Sequence, residues 1–267
     1  MKVGALRVRT PIGRARLQQN NPLIRRQKED SSLLGHHCPP PAREPQQQGL
    51  LCISVAANTE SSMPPKFIRP CIPTTAKAIP RGDAWLHEPK LDGYRFQIVK
   101  DGRQVKLYSR SGYEWTRRLP ALAETLQALP CHSAVLDGEL CLPGPGGAPD
   151  FRGLQGALGS RGDELAVYVF DLLRRDEDDL TEVPLSRRKQ LLMRLVGRDF
   201  PCLHPVQTFE DGAKLLETAE RHGLEGIVSK RKASPYRTGP SRDWVKAKTA
   251  AWRVANRDRW KAFQRTR

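Results

Sequence analysis

The chain has 267 residues, 38% of them hydrophobic. No apolar run approaches the roughly 18–20 residues a membrane helix needs, and the apolar stretch 49–57 is short and too deep in the chain to be a secretory signal. Its 45 Lys and Arg against 29 Asp and Glu leave +16, an excess that favours a polyanionic partner, nucleic acid before membrane. The six cysteines form no C-x-x-C pair and have no histidine at zinc spacing, which argues against a zinc site and reads as the scattered reduced thiols of a cytoplasmic protein.

Residues 1–62 carry nine Lys and Arg, four Asp and Glu, the runs Pro39-Pro40-Pro41 and Gln46-Gln47-Gln48, and little periodicity. That composition predicts a disordered extension, because it offers too little apolar surface to bury. Met63-Pro64-Pro65-Lys66 then opens a stretch that reads like a natural start, and one domain is expected over 63–250, followed by a short basic helical tail over 251–267. Residues 84–88 read as a strand leading into a loop at Lys90. Strand-like runs at 95–99 and 104–108 are joined across Asp101-Gly102, a hairpin turn signal. Leu119, Leu122, Leu126 and Leu129 have helical spacing. A strand over 133–140 ends in the loop Gly144-Pro145-Gly146-Gly147, and 167–173 is apolar enough for an interior strand. Ser186 is expected to cap a helix reaching Val196, and Thr208 with Asp211 to cap another that stops at Gly223. Strands at 227–230 and 244–248 close the core. With strands around the motifs and helices outside them, the fold class is α+β, built on antiparallel sheets flanked by helices.

The chemistry is concentrated in six short motifs. Glu88-Pro89-Lys90-Leu91-Asp92-Gly93-Tyr94-Arg95 places an amine beside a carboxylate, a glycine and a guanidinium, a setting suited to a lysine that attacks phosphorus. A surface hairpin with ordinary charges is the plainer alternative. Ser109-Arg110-Ser111-Gly112 on its own is a loop, Leu136-Asp137-Gly138-Glu139-Leu140 supplies a carboxylate at Glu139, and Tyr168-Val169-Phe170-Asp171-Leu172-Leu173 on its own is a buried strand. Glu225-Gly226-Ile227-Val228-Ser229-Lys230 offers a carboxylate for a hard cation, since phosphoryl transfer uses few protein carboxylates alongside substrate oxygens. In Trp244-Val245-Lys246-Ala247-Lys248 the two lysines fall on one face of a strand, so both can address one phosphate. No Walker A run and no G-x-G-x-x-G loop occurs, which argues against a P-loop motor or a dinucleotide dehydrogenase.

In type, order and spacing these six motifs resemble the ATP-dependent DNA ligases, most closely the ligase module of the bacterial end-joining type, over about residues 64 to 262. The resemblance implies an ATP-grasp-like nucleotidyltransferase domain that joins DNA breaks in repair and recombination through a lysyl-AMP intermediate. It makes Lys90 the residue that becomes AMP-linked. Nucleotide contacts fall to Glu88 at the adenine edge, Arg95 at the ribose or a phosphate, Arg110 at the nucleotide phosphates and later the 5′-phosphate of the nick, Glu139 at the ribose, Phe170 stacked on adenine, and Lys246 and Lys248 at the phosphates. Glu225 and Glu139 would hold Mg2+ or Mn2+, and ATP is the nucleotide. The implied partner is nicked or broken DNA. No oligonucleotide-binding (OB-fold) domain follows the last motif, so a separate OB-fold or end-joining protein is a second candidate partner. Two alternatives stay open at this point: an RNA ligase or capping-type nucleotidyltransferase, and a DNA-end-binding accessory module with lost or partner-dependent turnover.

Overall fold

The computed structural model describes residues 64–144, 149–160, 162–197 and 200–256. The expected disordered extension, most of the loop after the 133–140 strand, and all of the expected tail beyond Asn256 lie outside the described residues.

Two sheets organise the chain. The smaller has four strands: β1 (Cys71–Thr75), β2 (Trp85–Lys90), β9 (Gly226–Arg231) and β10 (Gly239–Lys248), in the order β1-β10-β9-β2. The larger runs β4 (Gln104–Ser109), β3 (Tyr94–Asp101), β5 (Ser133–Cys141), β6 (Ala166–Arg175) and β7 (Asp178–Asp179), with β8 (Leu203–Pro205) pairing β6 off that path. Most pairings are antiparallel, as expected. Two are parallel, β1 with β10 and β6 with β8, which makes both sheets mixed. The parallel partners are short strands, β1 without a strong alternation of its own, which is why the sequence did not disclose them.

The larger sheet is apolar on both faces. Phe96, Ile98, Leu136, Val167 and Val169 belong to one fully buried cluster with Leu122 and Leu126 of helix α1 (Pro120–Leu126), Leu154 of α2 (Phe151–Ser160), and Leu192 and Leu195 of α3 (Leu185–Val196). Each such side chain contributes roughly 1.5–3 kcal/mol on burial. From the opposite face Val99, Val135 and Leu173 pack with Leu86 of β2 and Trp244 of β10, so a second core lies between the sheets. Helix α4 (Gly212–Arg221) covers the far side of the smaller sheet, beside β9 and β2.

Of the expected cap pair Thr208 and Asp211, Asp211 alone is the N-cap, and in another helix the cap is shifted. Asp211 caps α4, accepting from the amides of Ala213 and Lys214 at 3.0 Å each. α3 starts earlier than expected: Pro184 is its N-cap and makes no side-chain cap bond, and Ser186 lies inside the first turn. The amides of Leu185 and Ser186 are taken by the carbonyls of Ser234 and Lys232, so a long-range strand-end contact replaces the local cap.

Candidate active site

Register explains how residues far apart in sequence meet. β9 is the central partner of both β2 and β10, and its Gly226 is directly opposite Lys90 on one side and Lys248 on the other. One step of two residues along, Val228 faces Glu88 and Lys246, and another step brings Lys230 opposite Leu86 and Trp244. Directly paired residues share a face, so Glu88, Lys90, Lys230, Trp244, Lys246 and Lys248 lie on the side that turns toward the larger sheet. The other side carries His87, whose Nδ1 lies 2.8 Å from the Ser229 hydroxyl beneath α4.

Two motif glycines are set by backbone crowding. A Cβ on Gly226 would sit 2.0 Å from the Ala247 carbonyl oxygen, and one on Gly93 would sit 2.4 Å from that of Leu140. Each glycine follows a carboxylate or precedes a cleft strand, and lets the neighbouring strand come close enough to aim its side chains inward.

At the mouth of the cleft Glu225, immediately before Gly226, bridges two lysines. Lys90 Nζ donates to its Oε2 at 2.6 Å and Lys248 Nζ lies 2.9 Å from its Oε1. Lys246 belongs to the same group: burial first, then the nearby charges of Lys90, Lys248 and Arg110, lower its pKa. Exposed Arg110, just past the end of β4, adds positive charge near Lys246. From the larger sheet, Glu139 stands directly opposite Arg95 in the β3–β5 pairing. Burial pushes the Glu139 carboxyl up to about 7, against the opposing pull of Lys90 and Arg95 and with a further push from Glu225.

Deeper in, the cleft is lined by Glu88, Arg95, Phe170, Lys230 and Trp244. Arg95 forms a two-pronged ion pair with buried Asp137, both bonds 2.6 Å, and its guanidinium carbon lies 4.6 Å above the Phe170 ring. Asp137 also accepts from the Tyr236 hydroxyl at 2.5 Å, and that hydroxyl accepts from the Cys71 amide at 2.9 Å, so Arg95 is locked to β1 and β10's approach loop. Glu88 is buried, paired with Lys189 of α3 and, at 2.6 Å, with Lys230. Lys230 Nζ lies 4.3 Å from the Phe170 ring centroid and 3.9 Å from that of Trp244. Burial, with Lys189 adding to it, lowers its pKa to about 8 despite Glu88.

Every residue singled out from the sequence thus reaches this cleft or its mouth. Reasoning from sequence passed over Lys230, Trp244, Tyr236 and Lys189. Strand alternation could have found the first: Lys230 is two and four residues beyond Val228 and Gly226, hence on the face that Lys90 and Lys248 share. Lys189 carried no such signal, because it arrives on a helix. Asp137, read as structural, is the anchor of Arg95. Among the described residues no group of three or more His, Cys, Asp or Glu side chains gathers as a metal site. Glu225 and Glu139 are a carboxylate pair beside cations, which suits a hard ion completed by substrate oxygens.

The model of the ATP dependent DNA ligase domain matches residues 70–248 of the chain, from the first strand to the last lysine of the cluster. The chain belongs to this family. The ligase family's relatives include the multifunctional non-homologous end joining protein LigD of Pseudomonas aeruginosa, 40% identical over 187 residues, which span 69% of this chain and 22% of that protein. A probable DNA ligase of Nocardioides sp. is 37% identical over 198 residues, 67% of this chain and 38% of that one. The crystal structure of the ligase domain from M. tuberculosis LigD superposes with a TM-score of 0.58 at 32% identity, covering 67% of this chain and 58% of that chain. A mycobacterial DNA ligase D complexed with ATP and MES gives 0.54 at 31% identity, covering 67% and 59%. The chain therefore spans less than two thirds of the length of each of these ligases. Among the described residues no helix is long and apolar enough to cross a membrane.

Proposed function

We propose that the chain is the nucleotidyltransferase of an ATP-dependent DNA ligase: Lys90 takes AMP from ATP, and the AMP is passed to the 5′-phosphate of a DNA break in end-joining repair. The observation that carries this reading is the convergence of Lys90 and Lys248 on the two oxygens of Glu225, with Lys246 and Arg110 beside them. Two lysines on one carboxylate, with further positive charge near Lys246, form an anion site at which a nucleophilic amine is already present.

In the first step the neutral amine of Lys90 attacks the α-phosphorus, an N–P bond forms, and the bond from phosphorus to the pyrophosphate oxygen breaks. The amine proton is released and pyrophosphate leaves with the bonding electrons. Lys246 and Lys248 hold the charge that grows on the phosphate oxygens, and Phe170 with Glu88 and Lys230 forms the base end of the cleft. In the second step a 5′-phosphate oxygen of DNA attacks the same phosphorus and Lys90 leaves. In the third a 3′-hydroxyl attacks the 5′-phosphate and AMP leaves. Glu225 and Glu139 would hold Mg2+ or Mn2+, which neutralises phosphate charge when bound. The +16 of the whole chain suits DNA as the substrate. A separate OB-fold or end-joining protein is the second partner we propose.

Intact mass after incubation with ATP and magnesium tests the reading, with GTP in parallel. An AMP-sized gain that is absent in Lys90→Ala supports it. A GMP-sized gain instead would assign a capping-type reaction.

A further inference from the structure

The last described helix, α5 (Ala250–Ala255), is too short to be stable alone, so its position is imposed by what it touches. Five hydrogen bonds impose it. The Glu220 carboxylate at the end of α4 accepts from the amides of Ala250 and Ala251, at 2.7 and 2.8 Å. The buried Thr249 hydroxyl donates to the Leu224 carbonyl at 3.0 Å and accepts from the Trp252 amide at 3.3 Å. The Thr249 amide donates to the carbonyl of Glu225 itself at 3.0 Å. α5 is thus tied to the residue that bridges the two lysines. The outcome of this fixing is that the Trp252 ring backs Lys248, with Nζ 3.4 Å from the ring centroid.

We infer that Trp252 is a positioning residue that keeps the Lys248 ammonium aimed at the phosphate site when Glu225 turns away from it. The inference rests on the adenylylation reading above. In the structure Glu225 holds both Lys90 and Lys248, yet that reading requires it to release Lys90 for attack and to turn toward a metal. Lys248 stands on a flexible four-carbon stem and would lose its carboxylate partner at that moment. A ring face supplies a second holding point, and being neutral it leaves the whole positive charge available to the phosphate, which a carboxylate does not. Glu220 and Thr249 act one step further out, by holding the helix that carries the ring.

The test uses the full chain and single-turnover AMP loading at saturating ATP with magnesium. Trp252→Leu keeps apolar bulk and removes the π face, and it should slow loading about three- to tenfold. Trp252→Phe should recover most of the rate. In a Lys248→Ala background, Trp252→Leu should slow the residual loading no further, because the ring acts through that lysine. Equal rates for wild type and Trp252→Leu would overturn the inference, as would Trp252→Phe being as slow as Trp252→Leu. So would a further loss in the Lys248→Ala background, which would mark a general structural role even if Trp252→Leu melts early. A wild-type chain that takes up no AMP counts against the adenylylation reading instead, and is read first.

Discussion

Glu139→Gln isolates the electrostatic cost of the cleft. In the folded chain burial holds the Glu139 carboxyl at about 7 instead of 4.5. At about 1.4 kcal/mol for each tenfold change in acidity, that displacement corresponds to roughly 3 kcal/mol, and relaxation and water access reduce the effect to an expected 1–3 kcal/mol. Below pH 4.5 the group is protonated in both folded and unfolded chains and costs nothing. Between 4.5 and about 7 the folded chain keeps a proton that the unfolded chain has released, so stability falls as pH rises through this window, and the full cost applies above it. Glutamine has nearly the same shape and no charge. Its melting temperature should therefore exceed that of the wild type by several degrees at pH 8, with little difference at pH 4.5. Magnesium should raise the wild-type melting temperature at pH 8 more than the variant's, if Glu139 helps to hold the ion. The variant should also load AMP more slowly, since a group that destabilises the empty fold is retained for use. Thermal melts of both proteins at the two pH values check this. An equal gain at both, or a loss at pH 8, would refute the assignment of the cost to an ionised carboxylate.

Lys90→Ala and Lys90→Arg should both fold and both fail to gain mass with ATP, because a guanidinium stays protonated and cannot attack. Gly226→Ala forces a Cβ to within 2.0 Å of the Ala247 carbonyl, so it should lower the melting temperature and reduce AMP loading together, as followed by calorimetry and mass. Arg188→Ala leaves Asp171 without its two-pronged partner, bonds of 2.7 and 2.8 Å at full burial, and should cost about 3–5 kcal/mol in urea unfolding without directly removing a cleft contact. Affinity for nicked DNA, measured by anisotropy, should fall steeply with salt, as phosphate contacts release counterions.

The local devices were legible in the sequence where the signal itself is local. The Asp101-Gly102 hairpin, the Asp211 cap and the alternating lysines of β10 each rest on residues within a few positions, and each is found. β1, β8 and α2 escaped notice because their identity depends on distant partners: β1 exists through pairing with β10, more than 160 residues on. Ser186 misled for the same reason, since the helix starts before it and its first amides, those of Leu185 and Ser186, are taken by the segment before Tyr236. Polar residues were harder still. Nothing near Asp137 in sequence says that its carboxylate will anchor Arg95 and Tyr236, and nothing near Glu88 announces Lys189 on a helix a hundred residues later.

The spacing within the motifs follows from the registration of one central strand. β9 offers Gly226, Val228 and Lys230 to the cleft in steps of two, and β2 and β10 answer with Lys90, Glu88 and Leu86, and with Lys248, Lys246 and Trp244. L-x-E-x-K, E-G-x-x-x-K and W-x-K-x-K are therefore three readings of a single row-by-row arrangement: one row at the mouth holds Lys90 and Lys248, one in the middle Glu88 and Lys246, and one in the depth the buried Lys230 beside Trp244. A slip of β9 by one residue would turn Lys230 to the α4 side and bring Ser229 into the cleft, exchanging a cation for a hydroxyl beside Phe170 and Trp244. The crowding at Gly226 opposes such a slip, because any side chain moved to that position would meet the Ala247 carbonyl. The same glycine that lets Glu225 reach both lysines thus also fixes the register on which every other row depends.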